Sequence, residues 1–186
     1  MKRVLIISYY WPPSGGAGVQ RWLKFTKYLP EFGIQPVVYT VDDPDYALLD
    51  ESLIEEVPKS VEVIKKKIFE PNRLLKTFTN KEQDSSAGFL DEDPGFVDRF
   101  IRYVRANYLI PDAKKFWISP SIRDLVQVIE NKSIDLVITT GPPHSCHLIG
   151  LGLKTACGIN WLSDFRDPWT QIDYFKSLPL SDSSLK

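Results

Sequence analysis

Residues 4–41 read VLIISYYWPPSGGAGVQRWLKFTKYLPEFGIQPVVYTV, and this stretch decides the fold. It opens with an unbroken apolar, β-branched run from Val4 to Ser8, the pattern of a strand buried on both faces of a parallel sheet. A loop rich in Gly and Pro follows. From Val19 to Leu29 the side chains of Val19, Trp22, Leu23, Thr26 and Leu29 share one helical face, with Gln20, Lys24 and Lys27 opposite. Gly33 is placed to close that helix, and Pro36 to Val41 reads as a second strand. Val61 to Lys65 is expected to be a third, more polar strand.

The second half repeats the rhythm. Ser121 to Glu130 is expected to be helical behind Pro120, Ile134 to Thr139 a strand, His144 to Ala156 a helix and Asn160 to Phe165 another strand. Strands alternating with helices imply right-handed crossovers, hence an α/β domain with a doubly wound, mostly parallel sheet. Between the halves, residues 77–94 (TFTNKEQDSSAGFLDEDP) have the composition of a flexible loop. Phe96 to Leu109 then carries Phe96, Phe100, Tyr103, Val104 and Tyr108 at helical spacing beside Arg99, Arg102 and Arg105. That basic helix over 96–109, with Lys65, Lys66 and Lys67, suits peripheral contact with an anionic membrane. The simpler arrangement packs the aromatic face on the sheet and leaves the arginines in solvent.

Composition narrows the function classes. At 186 residues, 43% hydrophobic and 25% charged, the chain has the makings of one globular domain. Its 23 basic and 24 acidic residues leave a formal charge of −1, so no global field draws it to nucleic acid. The two cysteines, Cys146 and Cys157, form no CxxC pair and have no histidines at ligand spacing. They read as small core residues of a protein in a reducing compartment, with no metal expected. The apolar run at the N-terminus is too short for a signal peptide or a membrane span, so a cytoplasmic protein is expected.

Three constellations carry chemistry. In the loop from Tyr10 to Gly18, Pro12, Pro13, Gly15, Gly16 and Gly18 precede a helix, whose amides and dipole either face an anion or merely permit a tight connection. The dinucleotide fingerprint GxGxxG is met only in part, because Arg21 stands where the third glycine belongs and Tyr9 to Ser14 intervene before Gly15. Asp42 would otherwise be the ribose ligand. In TTGPPHS, Thr139 to Ser145, His144 either binds or carries protons at the carboxyl end of a strand, or simply caps a helix, while His147 reads as packing. In DFRDPWT, Asp164 and Asp167 flank Arg166, again directly after a strand. All three constellations fall on one edge of one sheet, which points to a polar cleft.

These residues resemble a known family. The opening VLIISYYWPPSGGAGVQRWLKFTKYLPEFGIQPVVYT, the middle IPDAKKFWISPSI and the late ITTGPPHSCHLIGLGLKTACGINWLSDFRDPWT are similar to the N-terminal domain of bacterial glycosyltransferase family 4 enzymes. The resemblance implies one Rossmann-like half of a GT-B architecture, the acceptor-side domain of a retaining enzyme. Such an enzyme would move a sugar from a nucleotide diphosphate sugar to a glycan or lipid-linked saccharide in cell-envelope polysaccharide synthesis. The nucleotide sugar is a co-substrate, and no further cofactor is implied. It assigns donor phosphate contacts to Gly15 and Gly16, acceptor contacts to Gly141 and Ser145, and a catalytic, cleft-lining set to His144, Asp164, Arg166 and Asp167. The family's Glu-x7-Glu motif belongs to a second, donor-binding domain, and Glu130 is the last glutamate here. The 186 residues are therefore expected to be the first domain of a larger enzyme and inactive alone. Two other classes stay open: a nucleotide-dependent oxidoreductase or epimerase, and a non-catalytic carbohydrate-binding domain.

Overall fold

The protein is described by a computed structural model over residues 1–71, 96–171 and 175–184. The first strand, β1 (Lys2–Ile7), leads through the glycine loop into α1 (Ala17–Tyr28), and a 3-10 turn, Leu29–Phe32, extends that helix. Gly33 closes the turn in the left-handed conformation at φ 72°, so the glycine ends the helical path one turn beyond α1 proper. Next come β2 (Ile34–Asp42), the short α2 (Ser52–Glu55) and β3 (Glu62–Lys67). The second half contains α3 (Phe96–Tyr108), α4 (Ile118–Asn131), β4 (Leu136–Gly141), α5 (Ser145–Cys157) and β5 (Asn160–Phe165). The flexible loop expected near 77–94 lies outside the described residues.

The five strands form one sheet in the order β3-β2-β1-β4-β5, parallel at every pairing. This is a Rossmann-like α/β domain. Alternation along the strands sorts the core into two layers. Leu5, Ile7, Val37, Tyr39 and Val137 face α4 and α5, where they meet Leu125, Ile129, Ile149 and Leu153. Val4, Ile6, Val38 and Ile138 face α1 and meet Val19, Trp22 and Leu23. In the first layer Tyr39 stacks on Trp117 at 5.7 Å and donates its hydroxyl to Ser121 Oγ at 2.9 Å.

Two expectations need correction. Helix α4 begins at Ile118, so Pro120 stands inside its first turn, where the missing N–H costs nothing because no intrahelical acceptor is due. Cys146 is fully buried, but Cys157 is exposed. It is the last residue of α5, turned to solvent, with its thiol donating to the Leu153 carbonyl.

Strand β1 runs outward to β2 and β3 on one side, while β4 and β5 extend the sheet on the other. The order therefore reverses between β1 and β4, and the crevice outside their carboxyl ends is where open α/β sheets take ligands.

Candidate functional site

A cleft of about 1160 Å³ opens at that reversal point. Its walls come from the loop after β1 (Tyr10 and Gly15 to Val19), the loop after β4 (Pro142 to His144) and the loop after β5 (Arg166 to Trp169), with Pro111 and Asp112 closing one side.

The glycine loop is held from outside the cleft. Gly15 donates its N–H to the Leu48 carbonyl at 2.9 Å, and Asp50 donates to the Pro13 carbonyl at 2.8 Å, so residues 48–50 strap the loop down. Gly15's amide is thereby used internally. Gly16, at φ 95°, is the N-cap of α1, a conformation costly for any residue with a Cβ. Among the described residues no side chain caps α1, and its first turn holds no acidic residue. Among the described residues, the amides at 16–18 have no protein acceptor.

Arg166 lies directly over this helix start. A methyl at Gly18 would overlap Nη1 and stand 3.0 Å from Cζ. Gly18 therefore provides room for a guanidinium, which sequence alone does not reveal. Arg166 also donates to Asp167 Oδ2 at 2.9 Å. A cation parked beside a helix N-terminus is electrostatically disfavoured unless an anion joins them.

The other helix start at the cleft is occupied by the protein's own carboxylate. Asp112 accepts from Ser145 N at 2.8 Å, from Ser145 Oγ at 2.7 Å and from Lys114 N at 2.8 Å. His144 stands at the N-cap position of α5 but makes no capping bond. Asp112 caps instead, from 33 residues upstream, a distance at which no local spacing signal exists.

His144 lines the cleft with its ring stacked on Trp169 at 5.5 Å, and its Nδ1 is buried without a partner. Burial lowers its pKa, partly offset by Asp112 and Asp167, so the ring is neutral at pH 7 and able to accept a proton. Behind it, His147 is 5% exposed and stacks on Phe165 at 4.0 Å. Its Nδ1 lies 2.9 Å from Thr139 Oγ1, which also accepts from Trp161 Nε1. Burial first, and His144 second, push the pKa of His147 down to about 4. His147 is thus packing, as its place on an apolar helix suggests.

Of the sequence-predicted residues, Gly15, Gly16, His144, Arg166 and Asp167 line one cleft. Gly141, Ser145 and Asp164 sit beneath its wall. A Cβ on Gly141 would meet His147 Nε2 at 2.6 Å, and its carbonyl accepts from Arg166 N. Ser145 is fully buried with its hydroxyl on Asp112. Asp164 accepts from Trp22 Nε1 at 2.9 Å and Thr140 Oγ1 at 3.0 Å through Oδ2, and pairs with Arg21 at 3.0 Å through Oδ1, tying α1 to β5. Arg21, the residue that spoils the GxGxxG pattern, has this ion pair as its role. Asp42 is not part of the cleft wall.

Sequence reasoning also passes over a buried ion pair beside the site. Glu70, with its side chain 1% exposed, pairs with Lys114 and accepts from the Tyr9 hydroxyl at 2.5 Å and from Asp45 N at 3.0 Å. Lys114 Nζ also lies 4.4 Å from the centre of the Tyr9 ring. The network joins the segments after β1, β2 and β3 to the loop that carries Asp112. Among the described residues, no group of three His, Cys, Asp or Glu is placed to hold a metal ion.

No family model matches the chain, and no curated protein does. Among solved structures it is similar to a glycosyltransferase from Rickettsia africae ESF-5, with 14% identity and a TM-score of 0.47, over 95% of this chain and 32% of that one. The chain thus spans about a third of that enzyme's length. It is also similar to the C-terminal domain of the PF1911 hydrogenase from Pyrococcus furiosus, with 16% identity and a TM-score of 0.46, over 88% of this chain and 91% of that one. The zinc-inhibited form of the teicoplanin deacetylase Orf2 is similar at 12% identity and a TM-score of 0.41, over 89% of this chain and 68% of that one. Likenesses this distant select no activity.

Proposed function

We propose that this chain is the acceptor-side, N-terminal domain of a retaining glycosyltransferase of GT-B architecture. Its reaction would pass a sugar from a nucleotide diphosphate sugar to a glycan or lipid-linked saccharide of the cell envelope. The observation that carries this reading is the convergence of Gly16, His144, Arg166 and Asp167 on one cleft at the sheet's reversal point, the same residues that the family resemblance singles out. The uncapped start of α1, beside Arg166, suits the diphosphate of the leaving nucleotide, where negative charge grows in the transition state. The stacked faces of His144 and Trp169 suit a saccharide, and His144, neutral at pH 7, is the group available to take a proton from an acceptor hydroxyl. Asp164, Ser145 and Gly141 act by holding that wall in place.

The rest of the donor pocket would be supplied by a second domain beyond these 186 residues, so the domain alone is expected to bind weakly and not to turn over. The oxidoreductase or epimerase alternative is disfavoured by the strapped loop and by Asp42 standing outside the cleft. Calorimetric titration with nucleoside diphosphates, nucleotide diphosphate sugars, oligosaccharides, NAD(H) and NADP(H) tests the proposal. Weak binding of the diphosphates and saccharides, with none of the dinucleotides, is expected. Tight binding of NAD(H) or NADP(H) would overturn the reading in favour of the oxidoreductase class.

A further inference from the structure

Packing against Phe165 accounts for the ring of His147 but not for where its two nitrogens point. Nδ1 is engaged: it meets Thr139 Oγ1, and that oxygen also accepts from Trp161 Nε1, each at 2.9 Å. The indole comes this close because residue 150 is a glycine, where a Cβ would stand 2.3 Å from Trp161 Nε1. Nε2 is different. His147 is 5% exposed, and among the described residues its Nε2 is buried without a hydrogen-bond partner. His144 Nδ1 is in the same condition. Both nitrogens face one place. A Cβ on Gly141 would stand 2.6 Å from His147 Nε2 and 3.4 Å from His144 Nδ1, so the two flank the bare face of the same glycine, with their ring centres 5.8 Å apart. A buried donor or acceptor left unpaired loses its water and gains nothing in return. Two that face each other satisfy one another only if one nitrogen bears a proton and the other a lone pair.

We propose that His147 is a positioning residue for His144: His144 Nδ1–H donates to His147 Nε2, which leaves the lone pair of His144 on Nε2, the nitrogen that the cleft can reach. The proposal rests on the reading of His144 as the group that takes a proton from an acceptor hydroxyl. A neutral imidazole carries one N–H. A ring that accepts at Nε2 therefore holds its own proton on Nδ1, and the acceptor facing Nδ1 is His147 Nε2. His147 in turn carries its proton on Nδ1 and donates to Thr139 Oγ1, whose two lone pairs take His147 Nδ1–H and Trp161 Nε1–H. Trp161 can only donate, so it closes the far end of the chain. The electrostatics run the same way. Burial first and His144 second keep His147 neutral, with a lone pair to offer, while the charges of Asp112 and Asp167 favour a proton on His144. In this structure the two nitrogens face each other unbonded. A turn of the His144 ring about its broad sp³–sp² torsion closes the pair, as hydrogen bonds at such sites commonly tighten once a ligand is in place.

Long-range proton–nitrogen correlation spectra of the chain labelled with 15N-histidine, recorded at neutral pH, test this with no sugar or nucleotide present. The chain contains two histidines, so each ring is read separately. Protonated and bare ring nitrogens resonate far apart, and the spectra name the tautomer of each ring. Nδ1–H on both rings is expected. His147→Phe keeps an aromatic ring against Phe165 and removes the acceptor, and it should move the His144 proton from Nδ1 to Nε2. His147→Gln, whose amide oxygen still accepts, should keep that proton on Nδ1. Were His147 only a packing residue, the His144 tautomer would be the same in all three proteins, and that result overturns the proposal. Nε2–H on both rings of the wild type also overturns it, because the chain would then run the other way, from Thr139 O–H through His147 to His144. The wild-type spectrum decides this even if a variant fails to fold. Failure here is distinct from failure of the glycosyltransferase reading, which the calorimetric titration with diphosphates and saccharides decides.

Discussion

The substitution Gly18→Ala separates two jobs that a glycine can do at the start of α1. If the glycine serves backbone conformation, alanine should destabilise the fold. The structure gives it another role: the φ of Gly18 is not in the left-handed region, and a Cβ there runs into the Arg166 guanidinium. To regain van der Waals separation the guanidinium must retreat by roughly 1.5 Å. The retreat itself is cheap, because the Arg166 side chain is one-third exposed and its bond to Asp167 is a surface interaction of less than about 1 kcal/mol. Alanine also favours the helix by up to about 1 kcal/mol. Stability should therefore stay the same or rise slightly. Anion binding should move the other way. At an effective dielectric of about 20, drawing a unit positive charge from about 4 Å to about 5.5 Å from a phosphate costs about 1 kcal/mol, or between five- and tenfold in affinity. The assay is a thermal melt of both proteins followed by calorimetric titration with pyrophosphate and a nucleoside diphosphate at low salt. A lower melting temperature, or unchanged affinity in a stable variant, would refute the link between Gly18, Arg166 and the anion.

Other expected outcomes follow from the buried polar groups. The lowered pKa of His147 means that between pH 6.5 and about 4 the unfolded chain binds a proton that the folded chain refuses, so stability falls as pH falls through that window, by up to about 3 kcal/mol. Urea denaturation at pH 7 and pH 4.5 should show a smaller loss for His147→Gln than for wild type, and equal losses would contradict the assignment. Lys114→Met strands the Glu70 carboxylate and should cost about 3–5 kcal/mol, while adding Glu70→Gln should recover much of that loss. Additive losses in this double-mutant cycle would mean that the two groups are not coupled. Asp164→Asn should lower stability by about 1–3 kcal/mol through the lost ion pair with Arg21 and a weakened bond from Trp22 or Thr140. A variant as stable as wild type would argue against its tying role.

The fold was legible because the information lay in short, unmixed runs. VLIIS, PVVYTV and IDLVIT are too apolar for anything but central strands, and the glycine and proline stops between them fall where the chain turns. The sheet edge that carries the cleft followed from topology alone, since every constellation came directly after a strand. What the sequence could not show is which side chains of a constellation face the cleft and which brace it. Asp164 and Arg166 are two residues apart, yet one is tied to Trp22, Thr140 and Arg21 below the wall and the other lies over α1. Asp112 and Glu70 were passed over for a related reason. Their partners, Ser145, and Tyr9 with Lys114, lie 33 to 61 positions away, and no periodicity links residues across separate crossovers.

In the proposed function, the ends of β1, β4 and β5 form a single cleft that takes a diphosphate at the start of α1 and a saccharide along His144 and Trp169. Amide chemical shifts of the isotopically labelled protein, followed while a nucleoside diphosphate and then an oligosaccharide are added, test it residue by residue. The diphosphate should move the amides of Gly16, Ala17, Gly18 and Arg166, and the saccharide those of His144, Asp167 and Trp169, with Asp42 unaffected by either. Shifts centred on Asp42 and the end of β2, or shifts scattered away from the cleft, would contradict it.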